Sequence, residues 1–189
     1  RIGKHKKNNN YNNQKFIDLN ENEDNELLEL ILLEKCFFYI GCNTGISVVP
    51  RLFRKPVLLI NYIPFNIREI SAWSAYSIYI PKKLRNKITK KFLTFKEMND
   101  IKYDLHFDGN FFSQNNLDVI DNSPIDILKA TIEMEKKLKN CYTQTYKSKL
   151  LQTFFWDSLK KIKNIDEIRN NLKLKISDDF LIDNENLIR

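Results

Sequence analysis

Two continuous apolar runs separated by a glycine-containing turn constrain the fold of this chain more than any other feature. CFFYI at residues 36–40 and VLLIN at residues 57–61 have the length and composition of strands covered on both faces. Between them lie a turn that begins at Gly41, a short apolar segment, and a Lys55-Pro56 pair that stops a helix. The order strand, turn, helix, strand predicts a βαβ unit and therefore an α/β domain with a parallel sheet.

The rest of the chain predicts one more strand, SIYIP at residues 77–81, and a helical C-terminal third. SPID contains a helix start, with Ser123 as cap, Pro124 in the first turn and Asp126 in the capping-box position. The helix that follows is expected to bury Ile125, Leu128, Ile132 and Leu138. A second helix at residues 148–163 is expected to bury Leu150, Leu151, Phe154, Phe155, Leu159 and Ile162.

Length and composition favour a single domain over residues 1–189, since 189 residues with 42% hydrophobic content can bury one substantial core. No apolar run reaches the roughly 18 residues of a membrane span, and three cysteines without metal-ligand spacing favour reduced thiols. With only two histidines, a histidine-rich metal site is not expected. We therefore expect a cytoplasmic protein. Because the chain begins at Arg1, it also reads as a fragment of a longer polypeptide.

The net charge of +7 is unevenly distributed. Five basic residues in residues 1–15 are answered by six acids in residues 16–30. A second basic stretch, from Lys82 to Lys102, holds eight lysines and arginines against two acids. Such a stretch predicts a solvated face or a peripheral contact with anionic lipid at the inner face of the membrane, rather than a nucleic-acid groove. Nearby aromatic residues keep nucleic-acid binding as an alternative.

The turn after the first strand is a candidate ligand site. A chain with only four glycines places Gly41 and Gly45 within five residues, at the carboxyl end of a predicted parallel strand. That end of the sheet is where α/β folds bind ligands, and the amides that begin a helix suit an anion such as phosphate. In the simpler alternative, the glycines only permit the turn. The aromatic loop that follows holds Trp73 and Tyr76, which either stack on a base or sugar or simply pack.

Five segments in order, RIG at 1–3, GCNTGISVVPRLFRKPVLLINYIPF at 41–65, LTFKEM at 93–98, NSPIDIL at 122–128 and ISDDFL at 176–181, carry a resemblance. They resemble the C-terminal half of a family of bacterial glycosyltransferases of surface-polysaccharide biosynthesis. The chain is also similar, more remotely, to the sugar-nucleotide-binding half of non-hydrolysing UDP-N-acetylglucosamine 2-epimerases. In those enzymes, a glycine-containing turn precedes a helix that ends in Gly-Lys-Pro.

The resemblance implies a GT-B architecture in which this Rossmann-like domain binds the nucleotide-sugar donor and a missing N-terminal domain completes the cleft. The nucleotide-sugar is a substrate, so no cofactor or metal is implied, and the acceptor is a glycan or a lipid-linked molecule. The site residues implied by the resemblance are a diphosphate loop of Gly41, Asn43, Thr44, Gly45 and Ile46, the phosphate contact Arg1, and a far wall of Asn61 and Tyr62.

The chain departs from the family pattern at the ribose contact. Where many such enzymes carry an acid in the helix after the glycine turn, Val48 and Val49 stand here, and Glu69 is a possible substitute. No general base is identifiable, so the catalytic residues are unassigned. The chain by itself is expected to bind the donor, and whether it is active alone is left open. Two alternatives remain, an epimerase-like isomerase, for which His106 is the only internal histidine, and a non-catalytic interaction domain with the same fold.

Overall fold

The computed structural model describes residues 2, 15–16, 19, 26–63, 77–101, 109–160 and 175–188. In these ranges the helices are α1 (Glu26–Lys35), α2 (Val48–Leu52), α3 (Phe95–Asp100), α4 (Gly109–Gln114), α5 (Pro124–Leu138), α6 (Tyr146–Ser158) and α7 (Asp178–Asp183). The strands are β1 (Tyr39–Gly41), β2 (Val57–Tyr62), β3 (Ser77–Pro81), β4 (Lys83–Asn86), β5 (Leu117–Ile120) and β6 (Lys175–Ile176). Short 3-10 turns cover Gly45–Ser47 and Glu185–Leu187.

Four strands form a parallel sheet in the order β1-β2-β3-β6. Helices flank this sheet, which confirms the predicted α/β class and the Rossmann-like arrangement of a parallel sheet with flanking helices. β2 is the buried strand that the sequence predicts, with Val57, Leu58 and Leu59 fully buried. These residues pair with β1 on one side and β3 on the other, so the apolar run is covered by neighbours in every direction.

The prediction for β1 is wrong in length and in burial. The strand begins at Tyr39 rather than at residue 36, and it lies at one end of the described strand order. Ile40 is 39% exposed, whereas Tyr39 and Gly41, which point to the opposite face, are half-buried. A continuous apolar run therefore marks here an edge strand rather than a strand covered on both faces.

A second, two-stranded antiparallel sheet was not predicted. β4 pairs with β5 from Lys83 opposite Ile120 to Asn86 opposite Leu117. β4 starts two residues after β3 ends, and the Lys82 amide between them donates to the Tyr62 carbonyl. The polar alternation of KLRN gives β4 one buried residue, Leu84, while the charged neighbours stay partly exposed.

The core is formed by β2, β3 and the helices packed on them. Its largest fully buried side chains include Tyr79, Ile80, Phe95, Phe155 and Phe180. Phe95 of α3 meets Phe155 of α6 edge to face, with ring centroids 5.1 Å apart. The helical C-terminal third therefore packs on the sheet as predicted.

The capping prediction for α5 is confirmed, but its predicted apolar face is wrong. Ser123 and Asp126 form a complete capping box, with Pro124 in the first turn. Three of the predicted core residues, Ile125, Leu128 and Ile132, are 58%, 54% and 40% exposed, whereas the fourth, Leu138, is half-buried against the core. The helix instead buries Asp126, Ala130, Glu133 and Met134. Two acids can be buried here because both accept hydrogen bonds.

The second predicted helix, α6, is confirmed with its apolar face rotated. Leu151, Phe155 and Leu159 are buried as expected, whereas Leu150 and Phe154 are exposed and Ile162 lies outside the described residues. Trp156 and the polar Ser148 and Gln152 occupy the remaining buried positions. The helix therefore buries a stripe that mixes apolar and hydrogen-bonding side chains.

The leucine-dense helix α1 has Leu33 as its one buried residue, while five neighbouring aliphatic residues are exposed: Leu27, Leu28, Leu30, Ile31 and Leu32. Among the described residues, no helix combines the length and hydropathy that crossing a membrane would require.

Candidate functional site

The turn that follows β1 contains two glycines in different surroundings. At Gly41, a Cβ atom would lie 2.3 Å from the Tyr39 hydroxyl oxygen. Residues two apart on a strand share a face, so the Tyr39 ring lies over Gly41 and its hydroxyl reaches the Thr44 side chain. Burial, assisted by the Cys42 thiol, raises the pKa of Tyr39 against the opposing effect of this hydrogen bond. Gly41 is therefore explained by packing.

Gly45 has no such explanation. A Cβ atom built there meets nothing within 4 Å, and the residue does not have the positive φ that favours glycine. The residue is exposed at the carboxyl end of an edge strand. The space beside it is open to any group that approaches the backbone, so the second glycine is the one that the packing of the protein does not require.

The backbone around Gly45 offers hydrogen-bond donors. Thr44 precedes the 3-10 turn without capping it through its side chain, and within the described residues the amides of Gly45 and Ile46 have no acceptor. The buried Ser47 stabilises the turn, since its hydroxyl donates to the Thr44 carbonyl at 2.6 Å. Ser47 was missed by the sequence reasoning, although its small hydroxyl at the start of a helix was a signal for a local backbone contact.

Asn43 ties this turn to the next strand. Its side-chain amide donates to the carbonyl oxygen of Ile63, just after β2, at 2.5 Å. The structure therefore places Asn43, Thr44, Gly45 and Ile46 together in one exposed turn beside the carboxyl end of β2. The side-chain nitrogen of Asn43 is therefore already engaged in this contact.

Asn61 has a structural role that its sequence context did not suggest. Its φ of 50° lies in the left-handed region, at an irregularity in the pairing of β2 with β3. The backbone amides of Asn61 and Asn122 each donate to the other residue's side-chain oxygen at 2.6 Å. The Asn122 side chain also donates to the Pro81 carbonyl at 2.7 Å. The asparagine pair thus joins the ends of β2 and β3 to the start of α5.

We expect Asn122→Ala to lower the free energy of unfolding by about 1–3 kcal/mol. The change removes the acceptor of the Asn61 amide and the donor to Pro81, both at buried or half-buried positions. Urea denaturation followed by fluorescence would measure it. The matched control is Asn115→Ala, since Asn115 is exposed and its side chain donates to the Phe111 carbonyl of the helix that it follows. Equal losses in both variants would contradict the assigned role.

Of the remaining predicted site residues, only Tyr62 belongs to the described part of the chain. Tyr62, expected on the far wall of the pocket, is 3% exposed and belongs to the hydrophobic core. Its ring supports the sheet and does not present a surface to a ligand. Arg1, Glu69, Trp73, Tyr76 and His106 lie outside the described residues.

A buried polar network lies at the opposite edge of the sheet, after β6. The sequence reasoning missed it. Its centre is Asp178, which follows β6 and has a fully buried side chain. The carboxylate accepts hydrogen bonds from Tyr142 at 2.9 Å, Gln144 at 3.0 Å and Gln152 at 2.8 Å. Lys137 lies 3.3 Å from it. Every direction around this carboxylate is therefore occupied by a donor from α5, α6 or the segment between them.

Glu133 completes the network with a second buried carboxylate. It accepts from the Ser177 hydroxyl at 2.6 Å and from the Asp179 amide at 3.3 Å, and it pairs with Lys137. Burial, followed by the charges of Glu133 and Asp178, raises the pKa of Tyr142, so this hydroxyl stays protonated as a donor. Because both buried carboxylates accept hydrogen bonds from neighbouring elements, the network joins α5, α6 and α7.

Two features of the sequence pointed to this network. Glu133 is an acid among the apolar positions of α5, and the triplet SDD at residues 177–179 follows a short apolar segment.

Both the network and the glycine turn lie at carboxyl ends of parallel strands. The two strands are three strand spacings apart, or about 14 Å. In the described ranges, no group of three or more histidine, cysteine or acidic side chains is arranged to hold a metal ion.

Comparison of the chain with protein-family models, with curated proteins and with solved structures gives no significant match.

Proposed function

We propose that this chain is the donor-binding half of a GT-B-like, metal-independent glycosyltransferase. It would move a sugar from a nucleotide-sugar to a surface glycan or a lipid-linked acceptor. The observation that carries the proposal is the exposed turn after β1, where Gly45 leaves open space and the amides of Gly45 and Ile46 have no acceptor among the described residues. The turn follows the carboxyl end of a parallel strand, which is the end of the strands at which α/β domains bind ligands.

The chemistry of glycosyl transfer fits such a turn. When the sugar leaves a nucleoside diphosphate, negative charge grows on the leaving phosphate, and amides that already point outward stabilise it without reorganisation. Thr44 adds a hydroxyl at the same turn, and Asn43 holds the turn against the carbonyl after β2. In this proposal Arg1 adds a cation, the general base comes from the domain that completes the cleft, and Asn61 positions the strand end rather than the donor.

The ribose contact remains without a residue. Val48, exposed on α2, stands where many related enzymes carry an acid. A non-catalytic domain that kept this fold is the second candidate, and it is favoured by the composition of the turn, since residues 41–47 contain no acid and no histidine. An epimerase-like isomerase would share the nucleotide pocket and would convert a nucleotide-sugar to its epimer, which product analysis detects.

A thermal-shift and calorimetric screen against UDP-, GDP-, CDP- and CMP-sugars tests the proposal. We expect one nucleotide class to stabilise the chain, by about 2.7 kcal/mol at a ligand concentration of 100 Kd. For a domain of this size that free energy corresponds to a rise in Tm of roughly 5–10 °C. The same screen with Gly45→Asp should show at least a tenfold loss of affinity, because a carboxylate then faces the phosphates.

Two further variants at the same position separate charge from bulk. Gly45→Asn has the size of the aspartate variant without its charge and is expected to bind more tightly than Gly45→Asp. Gly45→Ala is expected to keep its stability within about 1 kcal/mol, because the added Cβ enters open space. Stabilisation by no nucleotide-sugar would favour the interaction domain. Nucleotide binding that is equal in wild type and Gly45→Asp would place the donor elsewhere.

A further inference from the structure

The basic stretch at residues 82–102 divides into a paired part and an unpaired part. The three basic residues nearest the parallel sheet have carboxylate neighbours. Lys82 lies 2.7 Å from Asp121, Lys83 lies 3.8 Å from Asp126, and Arg85 lies 2.9 Å from Asp118. Their charge is therefore largely compensated within the fold.

The unpaired charge lies at the far end of β4, in residues 86–92, which we call the tip. Lys87, Lys90 and Lys91 belong to the tip and Lys96 follows it on α3; within the described part of the chain none of them has an ion-pair partner. The nearby acid Glu97 is engaged in the capping box of α3 with Thr94, and Asp100 ends that helix. The tip thus presents a local excess of positive charge.

The tip is rigid as well as basic. The Asn86 side-chain oxygen accepts from the amides of Ile88 and Thr89 at 2.9 Å each, and the Asn86 amide donates to the Lys91 carbonyl at 2.8 Å. Lys90 completes the turn in the left-handed region with φ 59°. Phe92 then bridges back to Arg85. These contacts fix the direction in which the tip projects before any partner binds.

The tip also exposes apolar side chains. Ile88, next to Lys87 in the chain, is 75% exposed, and Phe92, next to Lys91, is 40% exposed. Exposed apolar side chains among unpaired lysines match the two layers of an anionic bilayer surface, where lysines meet headgroup phosphates and apolar groups enter the acyl boundary. A single-stranded nucleic acid would instead require a basic groove with stacked aromatics, whereas the more exposed of these two side chains is aliphatic.

We propose that the tip docks this chain onto an anionic lipid bilayer, with Ile88 entering the headgroup region and Lys87, Lys90 and Lys91 contacting lipid phosphates. The inference rests on the tip alone and does not depend on donor binding at the turn after β1. It agrees with a lipid-linked acceptor, since docking would bring the chain to the surface that holds such an acceptor.

Vesicle flotation of the 189-residue chain tests the proposal. Vesicles of phosphatidylcholine alone are compared with vesicles that contain about 30% phosphatidylglycerol, at about 0.1 M and about 0.5 M salt. We expect binding only to the anionic vesicles and a marked loss at the higher salt. The variant Lys87→Gln/Lys90→Gln/Lys91→Gln should lower the partition coefficient tenfold to about a hundredfold, since each lysine near an anionic surface contributes about fivefold.

Two matched controls separate the tip from overall charge and hydrophobicity. Lys136→Gln/Lys149→Gln/Lys175→Gln removes the same charge from exposed positions on α5, α6 and β6 and should retain binding within about threefold. Ile88→Ser should weaken binding, whereas Ile125→Ser, at another exposed isoleucine, should not. Circular dichroism would verify that all variants fold.

Three outcomes would overturn the proposal. The first is no binding to anionic vesicles, or equal binding to neutral ones. The second is an equal loss in the tip and control triple variants, which would indicate attraction by net charge alone. The third is retention on single-stranded RNA or DNA without vesicle binding, which would assign the lysines to a nucleic acid.

Discussion

Asp178→Ala is expected to lower the free energy of unfolding by about 3–5 kcal/mol. The side chain is fully buried, and its carboxylate accepts hydrogen bonds from Tyr142, Gln144 and Gln152. Alanine leaves these buried or half-buried donors without their acceptor, and Lys137 loses one of its two carboxylates. Urea denaturation followed by circular dichroism and tryptophan fluorescence would measure the loss.

The adjacent acid supplies the control. Asp179 is half-buried in the same helical turn, and its backbone amide, rather than its carboxylate, bonds Glu133. Burial raises the pKa of Asp179. Its ionised carboxylate is therefore less favourable in the folded chain than in the unfolded chain, and removing it is not expected to cost stability. We expect Asp179→Ala to change stability by less than about 1 kcal/mol. If Asp178→Ala cost no more than this control, the network would not hold the helices together.

Phe155→Ala is expected to cost a similar amount, about 3–5 kcal/mol. Phe155 is fully buried on α6, and its ring meets Phe95 and Trp156 edge to face at 5.1 and 5.4 Å. Truncation removes these contacts and leaves a cavity between α3 and α6, because the surrounding rings cannot collapse into it fully. The urea midpoint should fall, and the near-ultraviolet signal of Trp156 should change even where the variant stays folded.

The neighbouring position tests the observed face of α6 against the one expected from the apolar pattern. Phe154 is 43% exposed, so Phe154→Ala should cost less than about 1.5 kcal/mol. A pattern that buried both rings would make the two substitutions equally damaging. Equal losses would therefore contradict the rotated helix face and favour the original prediction.

The local elements were predictable because their signals act over a few residues. The Val57–Tyr62 and Ser77–Pro81 strands follow from continuous apolar runs with prolines at their boundaries. The start of α5 follows from the Ser123 and Asp126 side chains, which satisfy backbone amides within one turn. The parallel direction of the strands required an additional inference, that two apolar runs joined by a helix form a βαβ unit.

The candidate site was predictable in position and only partly in composition. A glycine turn at the carboxyl end of a strand is visible in the sequence, and the residues from Asn43 to Ile46 do lie together. The sequence could not distinguish its two glycines. Only the packing distinguishes Gly41, which makes room for the Tyr39 ring, from Gly45, which faces open space. The reciprocal bonds of Asn61 and Asn122 join residues that are 61 positions apart, beyond the reach of any local pattern.

By itself the sequence determined that β2, β3, α5 and α6 form, where α5 begins, and that the main sheet is parallel, since propensity, capping and apolar runs act within one element. The tertiary structure alone decided which helix face is buried. On α5, Glu133 is buried and Ile132 is exposed, because Ser177, the Asp179 amide and Lys137 surround the carboxylate. A buried charge is stable only when distant residues bring donors to it, and apolar periodicity contains no information about those donors.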